Sequence, residues 1–314
     1  MSGKKKVIQI AIFLAVMLLT FYALFSGRDL GEIARAVGRM SPLYLIPAVL
    51  LAVFFVCAEG LMIWYLLNAM GEKKNQVWRC IQYSFIGFFY SGITPSATGG
   101  QPVQLYYMNK DGNRVSDSTV VLMTVAVVYK FVLVIMGAGI LIFWYRPLTE
   151  ELNHYFPLFI LGLMLNVILV ILILGVMIFP EIIRRIALFF EKILIRMHIW
   201  KPSEKRLEKI DGFIGNYQQA VGWLGRHKGK LGGVVVLTFL QRCSVFVLTY
   251  MVYLGFGQTG SSALKVILLQ ASVYIAVDML PLPGAQGITE LMYQAVFAHV
   301  FAGAYLIPSM LVSR

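Results

Sequence analysis

Five ionisable side chains, Glu59, Lys130, Arg242, Asp278 and Glu290, interrupt segments that are otherwise apolar. An ionised group in hydrocarbon costs several kcal/mol, so each has to face a partner or a water-filled cavity. Two readings follow from that alone. The charges can form buried ion pairs that hold helices in register, or they can line a polar path through a bilayer. Two breaks in the chain lie close to them in sequence. The first is Thr94-Pro95-Ser96-Ala97-Thr98-Gly99-Gly100-Gln101-Pro102, and the second is Pro281-Leu282-Pro283-Gly284, which leads into Gly287-Ile288-Thr289-Glu290.

Each break is expected to start a short helix whose N-terminus carries free amides and the positive end of the helix dipole. Such an end suits an anion, here a phosphodiester. Gly99 and Gly100 permit the tight turn, and Pro102 fits an opening helical turn where its missing N–H is no loss. Thr94, Ser96 and Thr98 read as hydroxyls that satisfy bare backbone groups, not as nucleophiles. Glu290, in the opening turn after Gly287, either caps its helix or faces a cationic headgroup or a proton. A zwitterionic or cationic phospholipid would use both signs, with Arg242 or the helix amides on phosphate and Asp278 or Glu290 on an amine. The candidate translocation residues are therefore Glu59, Thr94, Ser96, Thr98, Gly99, Gly100, Gln101, Lys130, Arg242, Asp278, Gly287 and Glu290.

Signals for catalysis are weak. Gly284-Ala285-Gln286-Gly287 and Gly99-Gly100 lack the strand, the spacing and the Lys-Ser/Thr of a nucleotide loop. His154, His198, His227 and His299 have no metal-ligand spacing, and Cys57, Cys80 and Cys243 match neither a zinc nor a disulfide pattern. The expectation is a protein that is not an enzyme, with no cofactor and no metal.

The elements that must position these residues are membrane helices. Hydrophobic residues make up 59% of the chain and charged ones 13%, against roughly 25% charged in soluble domains. The net charge of +12 does not point to nucleic acid, because the basic residues sit in alternate loops. Lys4 to Lys6, then Lys73, Lys74 and Arg79, then the stretch from Arg184 to Lys230 are placed in the cytoplasm by the positive-inside rule. Anionic inner-leaflet lipid is their natural partner. Val7 to Phe25, about 28 Å long as a helix, crosses from inside to outside. Gly27 to Ser41 lies as a short helix at the outer surface. Leu43–Leu67, Thr119–Tyr145, Phe156–Phe179 and Leu231–Phe256 are each long enough to cross again.

Val77–Ser91 and Val266–Leu280 are too short to span and end at the two breaks. Irregular backbone at membrane depth survives only inside protein or beside water. These segments are therefore expected to be re-entrant hairpins entering from opposite faces, the pointer to an inverted-repeat transporter. The fold class is an all-α integral membrane protein, a multi-span bundle with two broken-helix hairpins. Its parts are a membrane half over 1–180, with a hairpin at about 77–108, and a second half over 231–314, with a hairpin at about 264–301. Between them, 181–230 forms a basic amphipathic linker, either a simple connection or a docking element.

The first break, the buried Arg242, and Pro283-Gly284 with Glu290 resemble the flippase-like membrane domain of bacterial lysylphosphatidylglycerol synthases and its stand-alone relatives, in order along nearly the whole chain. Ala285, Gln286 and Thr289 depart from the family's glycine-rich, Arg-Glu form. The resemblance implies a flippase that moves a phospholipid, such as aminoacylated phosphatidylglycerol, from the inner to the outer leaflet of the cell membrane, the N-terminus being cytoplasmic. It also implies a last helix truncated at Arg314, and it leaves room for a homo-oligomer and for a separate lipid-synthesising enzyme, since nothing here corresponds to the aminoacyltransferase domain. The alternative is an accessory subunit that docks or regulates a lipid-modifying enzyme through the basic linker. A membrane-embedded transferase stands third.

Overall fold

The computed structural model describes residues 30–70, 74–94, 99–196, 204–279 and 288–313. Among them every regular element is helical. The first, α1 (Leu30–Gly38), is followed by α2 (Pro42–Met70), α3 (Val77–Ile93), α4 (Gly100–Lys110) and α5 (Val115–Phe143). Then come α6 (Tyr145–Leu152), a 3-10 turn (Asn153–Tyr155), α7 (Phe156–Ile178), α8 (Pro180–Arg196) and α9 (Glu204–Arg226). The chain continues through α10 (Lys228–Gly255), α11 (Ala263–Val277), α12 (Ile288–Phe297) and α13 (Gly303–Val312).

Four apolar stretches, Pro42–Met70, Val115–Phe143, Tyr145–Ile178 and Lys228–Gly255, are long enough to cross a bilayer. Each overlaps one of the four expected spans that lie within the described residues; three of those spans were expected to run one or two residues further, and Tyr145–Ile178 begins well before Phe156 because it includes α6 and the 3-10 turn. The fifth expected span, Val7–Phe25, lies outside those residues. The short helix after the second break stops earlier than its apolar pattern suggests: α12 ends at Phe297, and a turn separates it from α13.

The long helices fix a direction for the bundle. Ser41, at the start of α2, donates its N–H to Gly255 O at the end of α10, at 3.1 Å. At the other end the Lys230 ammonium lies 4.6 Å above the Tyr65 ring. So α2 and α10 run antiparallel, and they pack along each other. Against this frame stand two antiparallel pairs of short helices. The base of the first is pinned where Arg79 of α3 meets Asp111 after α4 at 2.5 Å, near the Met70 end of α2. Asp111 also accepts from the Tyr83 hydroxyl and holds the Arg79 guanidinium above its ordinary pKa. The base of the second is pinned where Ala302 N–H donates to Gln258 Oε1 at 3.1 Å, near the Gly255 end of α10. The bases of the two pairs thus lie at opposite ends of the frame that α2 and α10 form.

Glycines set how closely the helices approach. A Cβ on Gly60 of α2 would lie 2.5 Å from Ile81 Cα of α3, and one on Gly162 of α7 would lie 2.7 Å from Ala276 Cα of α11. Both neighbours are backbone and cannot swing aside.

Two apolar cores result. One gathers Phe246, Val252, Leu269, Ile275, Tyr293 and Phe297 around α10, α11 and α12. The other gathers Met62, Leu66, Tyr83, Met108, Val121 and Tyr217 around α2, α3, α4, α5 and α9. The linker contributes to this second core: the buried Tyr217 of α9 donates its hydroxyl to Met123 Sδ of α5 at 3.6 Å, and burial pushes its pKa up to about 12. Arg184 of α8 meets Asp211 of α9 at 2.9 Å, which ties the two linker helices together. Between the two cores lies a seam, at about Val132 in α5, between Val234 and Phe246 in α10, and between Ala48 and Met62 in α2. That seam is where the charges are.

Candidate functional site

Lys130 and Arg242 stand close to the midpoints of α5 and α10, and Glu59 stands in the second half of α2. A residue at the middle of a 29-residue helix is about 21 Å from either end at 1.5 Å per residue. These groups cannot reach water past the ends of their own helices, so the tips of the two short pairs must complete their surroundings.

The tip of α11 supplies Asp278, which directly follows the helix and has its N–H bonded to Tyr274 O. Its carboxylate accepts from the Lys130 ammonium on one oxygen and from the Tyr129 hydroxyl on the other. The Tyr129 and Tyr274 hydroxyls meet at 3.0 Å, and Arg242 Nη1 donates to Tyr274 at 3.2 Å. Lys130, Asp278, Tyr129, Tyr274 and Arg242 are therefore one connected network drawn from α5, α10 and the tip of α11. The Arg242 guanidinium lies between two rings, 4.2 Å from the centre of Tyr129 and 4.5 Å from that of Phe55. Stacking of this kind suits a delocalised, weakly hydrated cation. Arg242 is 4% exposed, and its Nε is buried without an acceptor.

The tip of the first pair meets Glu59. Gln104, in the second turn of α4, donates Nε2 to Glu59 Oε1 at 2.7 Å. It fits there because Gly87 of α3 leaves room for its side chain. Gln241, next to Arg242, donates to Phe55 O at 2.7 Å and locks α10 onto α2 one turn before Glu59. At the break itself Thr94 bridges the gap: its hydroxyl donates to Tyr90 O at 2.6 Å and accepts from Gly99 N–H at 2.9 Å.

The structure thus joins Lys130, Arg242 and Asp278 and sets Glu59, held by Gln104, one turn beyond the Phe55 ring on which Arg242 stacks. Gly99 and Gly100 open α4, with Gly100 buried. Gln101 is exposed on that helix. Glu290 stands half-buried in the first turn of α12. Ser96, Thr98 and Gly287 lie outside the described residues. Sequence reasoning missed Phe55, Gln104, Tyr129 and Tyr274. Tyr274 was within reach, because it precedes Asp278 by four positions and so shares its helix face. Among the described residues no group of three His, Cys, Asp or Glu is placed to hold a metal ion.

A charged layer thus lies between two apolar cores, and α11 ends in it. The family described as the lysylphosphatidylglycerol synthase TM region matches residues 6–314. The chain belongs to this family. It is also similar to a UPF0104 membrane protein of Pyrococcus horikoshii, 27% identical over 265 residues that cover 80% of this chain and 77% of that one. The protein is accordingly a multi-pass membrane protein of the lysylphosphatidylglycerol synthase membrane-domain type, and its role lies in lipid handling.

Proposed function

We propose that this chain translocates phospholipid headgroups between leaflets and catalyses no reaction of its own. The observation that carries this reading is the mid-bundle layer in which Lys130, Asp278, Tyr129, Tyr274 and Arg242 are linked, with Glu59 one turn beyond the Phe55 ring on which Arg242 stacks. A headgroup crossing a bilayer needs polar partners at the depth where the tails offer none. The two short helix pairs act as re-entrant hairpins from opposite faces, the halves forming an inverted repeat. Rocking of one half against the other around the charged layer would give alternating access. The Met70 end, which carries Lys74, Arg79, Lys110, Arg114 and Lys228, faces the cytoplasm and its anionic lipid. The substrate is a phospholipid, with aminoacylated phosphatidylglycerol the first to try, made by a separate enzyme. Gradients or lipid imbalance drive net movement, because the sequence carries no nucleotide-loop signature.

Purified protein in liposomes tests the reading through two variants. Arg242→Ala is expected to slow headgroup translocation at least tenfold, as loss of a buried charged contact of about 1.5–3 kcal/mol would do, and Glu290→Gln is expected to slow it as well. If both variants flip lipid at the native rate, and replacement of Arg184, Arg185, Lys192 and Arg196 abolishes function in cells, the docking role of the basic linker takes over.

A further inference from the structure

The four charges of the central layer are not used alike. Lys130 and Asp278 satisfy each other. Arg242 stacks on Phe55, one turn before Glu59 on the same face of α2, yet no ion pair joins the two charges; each is held from the side instead. Gln104 holds Glu59, while the rings of Phe55 and Tyr129 and the Tyr274 hydroxyl hold Arg242. The gap between them is built in. Gln241, adjacent to Arg242, is bonded to the backbone of Phe55, one turn before Glu59, so the helices that carry the two charges cannot slide to close it.

Arg242 also carries a buried donor without a partner. Its Nε is fully buried and meets no acceptor. A guanidinium has five N–H donors in a fixed fork, and a buried donor left unmet is costly. That cost is offset when an anion with several oxygens occupies the fork, and phosphate oxygens match it bidentately.

We propose that Glu59 and Arg242 are the two halves of a split ion pair that receives a headgroup bearing an ammonium beside its phosphodiester. This assignment deepens the translocation reading and rests on it. The phosphate lies on the Arg242 fork, the ammonium lies on the Glu59 carboxylate, and the headgroup restores the neutrality that a direct salt bridge would have given. Asp278 takes no part in holding the amine, because Lys130 and Tyr129 already occupy it. Phosphatidylethanolamine carries this pair of charges, lysylphosphatidylglycerol carries it with a second ammonium, and phosphatidylglycerol carries only the anion.

The full chain in detergent, offered equal amounts of these three lipids and examined by native mass spectrometry, tests the assignment by binding alone. The native protein is expected to retain the ammonium lipids about tenfold over phosphatidylglycerol, the factor that one charge-assisted contact confers. Whichever ammonium lipid is held more tightly names the source of the headgroup. Glu59→Gln keeps the side-chain volume, and its expected effect is to erase the preference while phosphatidylglycerol stays bound. Arg242→Gln should release all three lipids. Native protein without an ammonium preference, or Glu59→Gln with the preference intact, overturns the split pair even if liposome transport is robust. Selective retention by a protein that moves no lipid would instead remove the translocation reading and leave the site standing.

Discussion

Replacing Asp278 by alanine is expected to destabilise the fold by about 3–5 kcal/mol, the cost of breaking a buried ion pair by removing one partner. The reason lies in what remains. Lys130, 7% exposed at mid-helix, would face two apolar cores without a counter-charge, and the Tyr129 hydroxyl would lose its acceptor. The pair itself is weak evidence of net stabilisation, because burying two ions costs much of what their attraction returns. Replacing both together, Lys130→Met with Asp278→Leu, is therefore expected to recover most of the loss. Unfolding of purified protein in mixed micelles, followed by far-ultraviolet circular dichroism across a denaturant titration, reads both quantities. A single variant within about 1 kcal/mol of the native protein would mean that the ammonium finds another partner, and that Asp278 does not anchor the network.

The second large effect comes from a residue with no polar atom in its side chain. Gly162→Val would place a Cβ 2.7 Å from both the Cα and the carbonyl oxygen of Ala276, so α7 and α11 must separate. Overpacking against side chains costs about 1–3 kcal/mol. A clash with backbone sits at or above the top of that range, at about 3 kcal/mol. The displacement also reaches the charged layer, since α11 carries Tyr274 and is directly followed by Asp278. Transport should fall with stability. A Cβ on Gly175, on the same helix, would meet no atom within 4 Å, and Gly175→Val should stay within about 0.5 kcal/mol of native. Equal losses at the two positions in the same titration would show that helix propensity, not close approach, governs α7.

These two sites show what could be learned before the fold was known. The spans were legible because a bilayer dictates the length and composition of anything that crosses it, and the boundaries from Pro42 to Gly255 follow that rule. Asp278, Lys130 and Arg242 stood out for the same reason, as charges where hydrocarbon was expected. Their pairing was not legible. Lys130 and Asp278 are 148 positions apart, and nothing local distinguishes Asp278 from Glu290 as the partner of an ammonium. The aromatic slot around Arg242 was hidden for a different reason. In a chain with 21 Phe and 16 Tyr, Phe55, Tyr129 and Tyr274 carry no mark that sets them apart until helix packing brings them to one cation. Gly162 and Gly175 look alike in sequence, and only the approach of α11 separates them.

The most direct test is dose-dependent. Liposomes reconstituted with increasing copies of the purified native chain, and containing a fluorescent phospholipid whose outer-leaflet fraction is chemically quenched, report how many vesicles exchange lipid between leaflets. A translocator predicts that the quenched fraction climbs from about one half, the share of label in the outer leaflet, towards completion as vesicles acquire their first copy of the protein. A fraction that stays at the protein-free value at every dose, with the protein shown to be folded and inserted, would contradict the account at its centre.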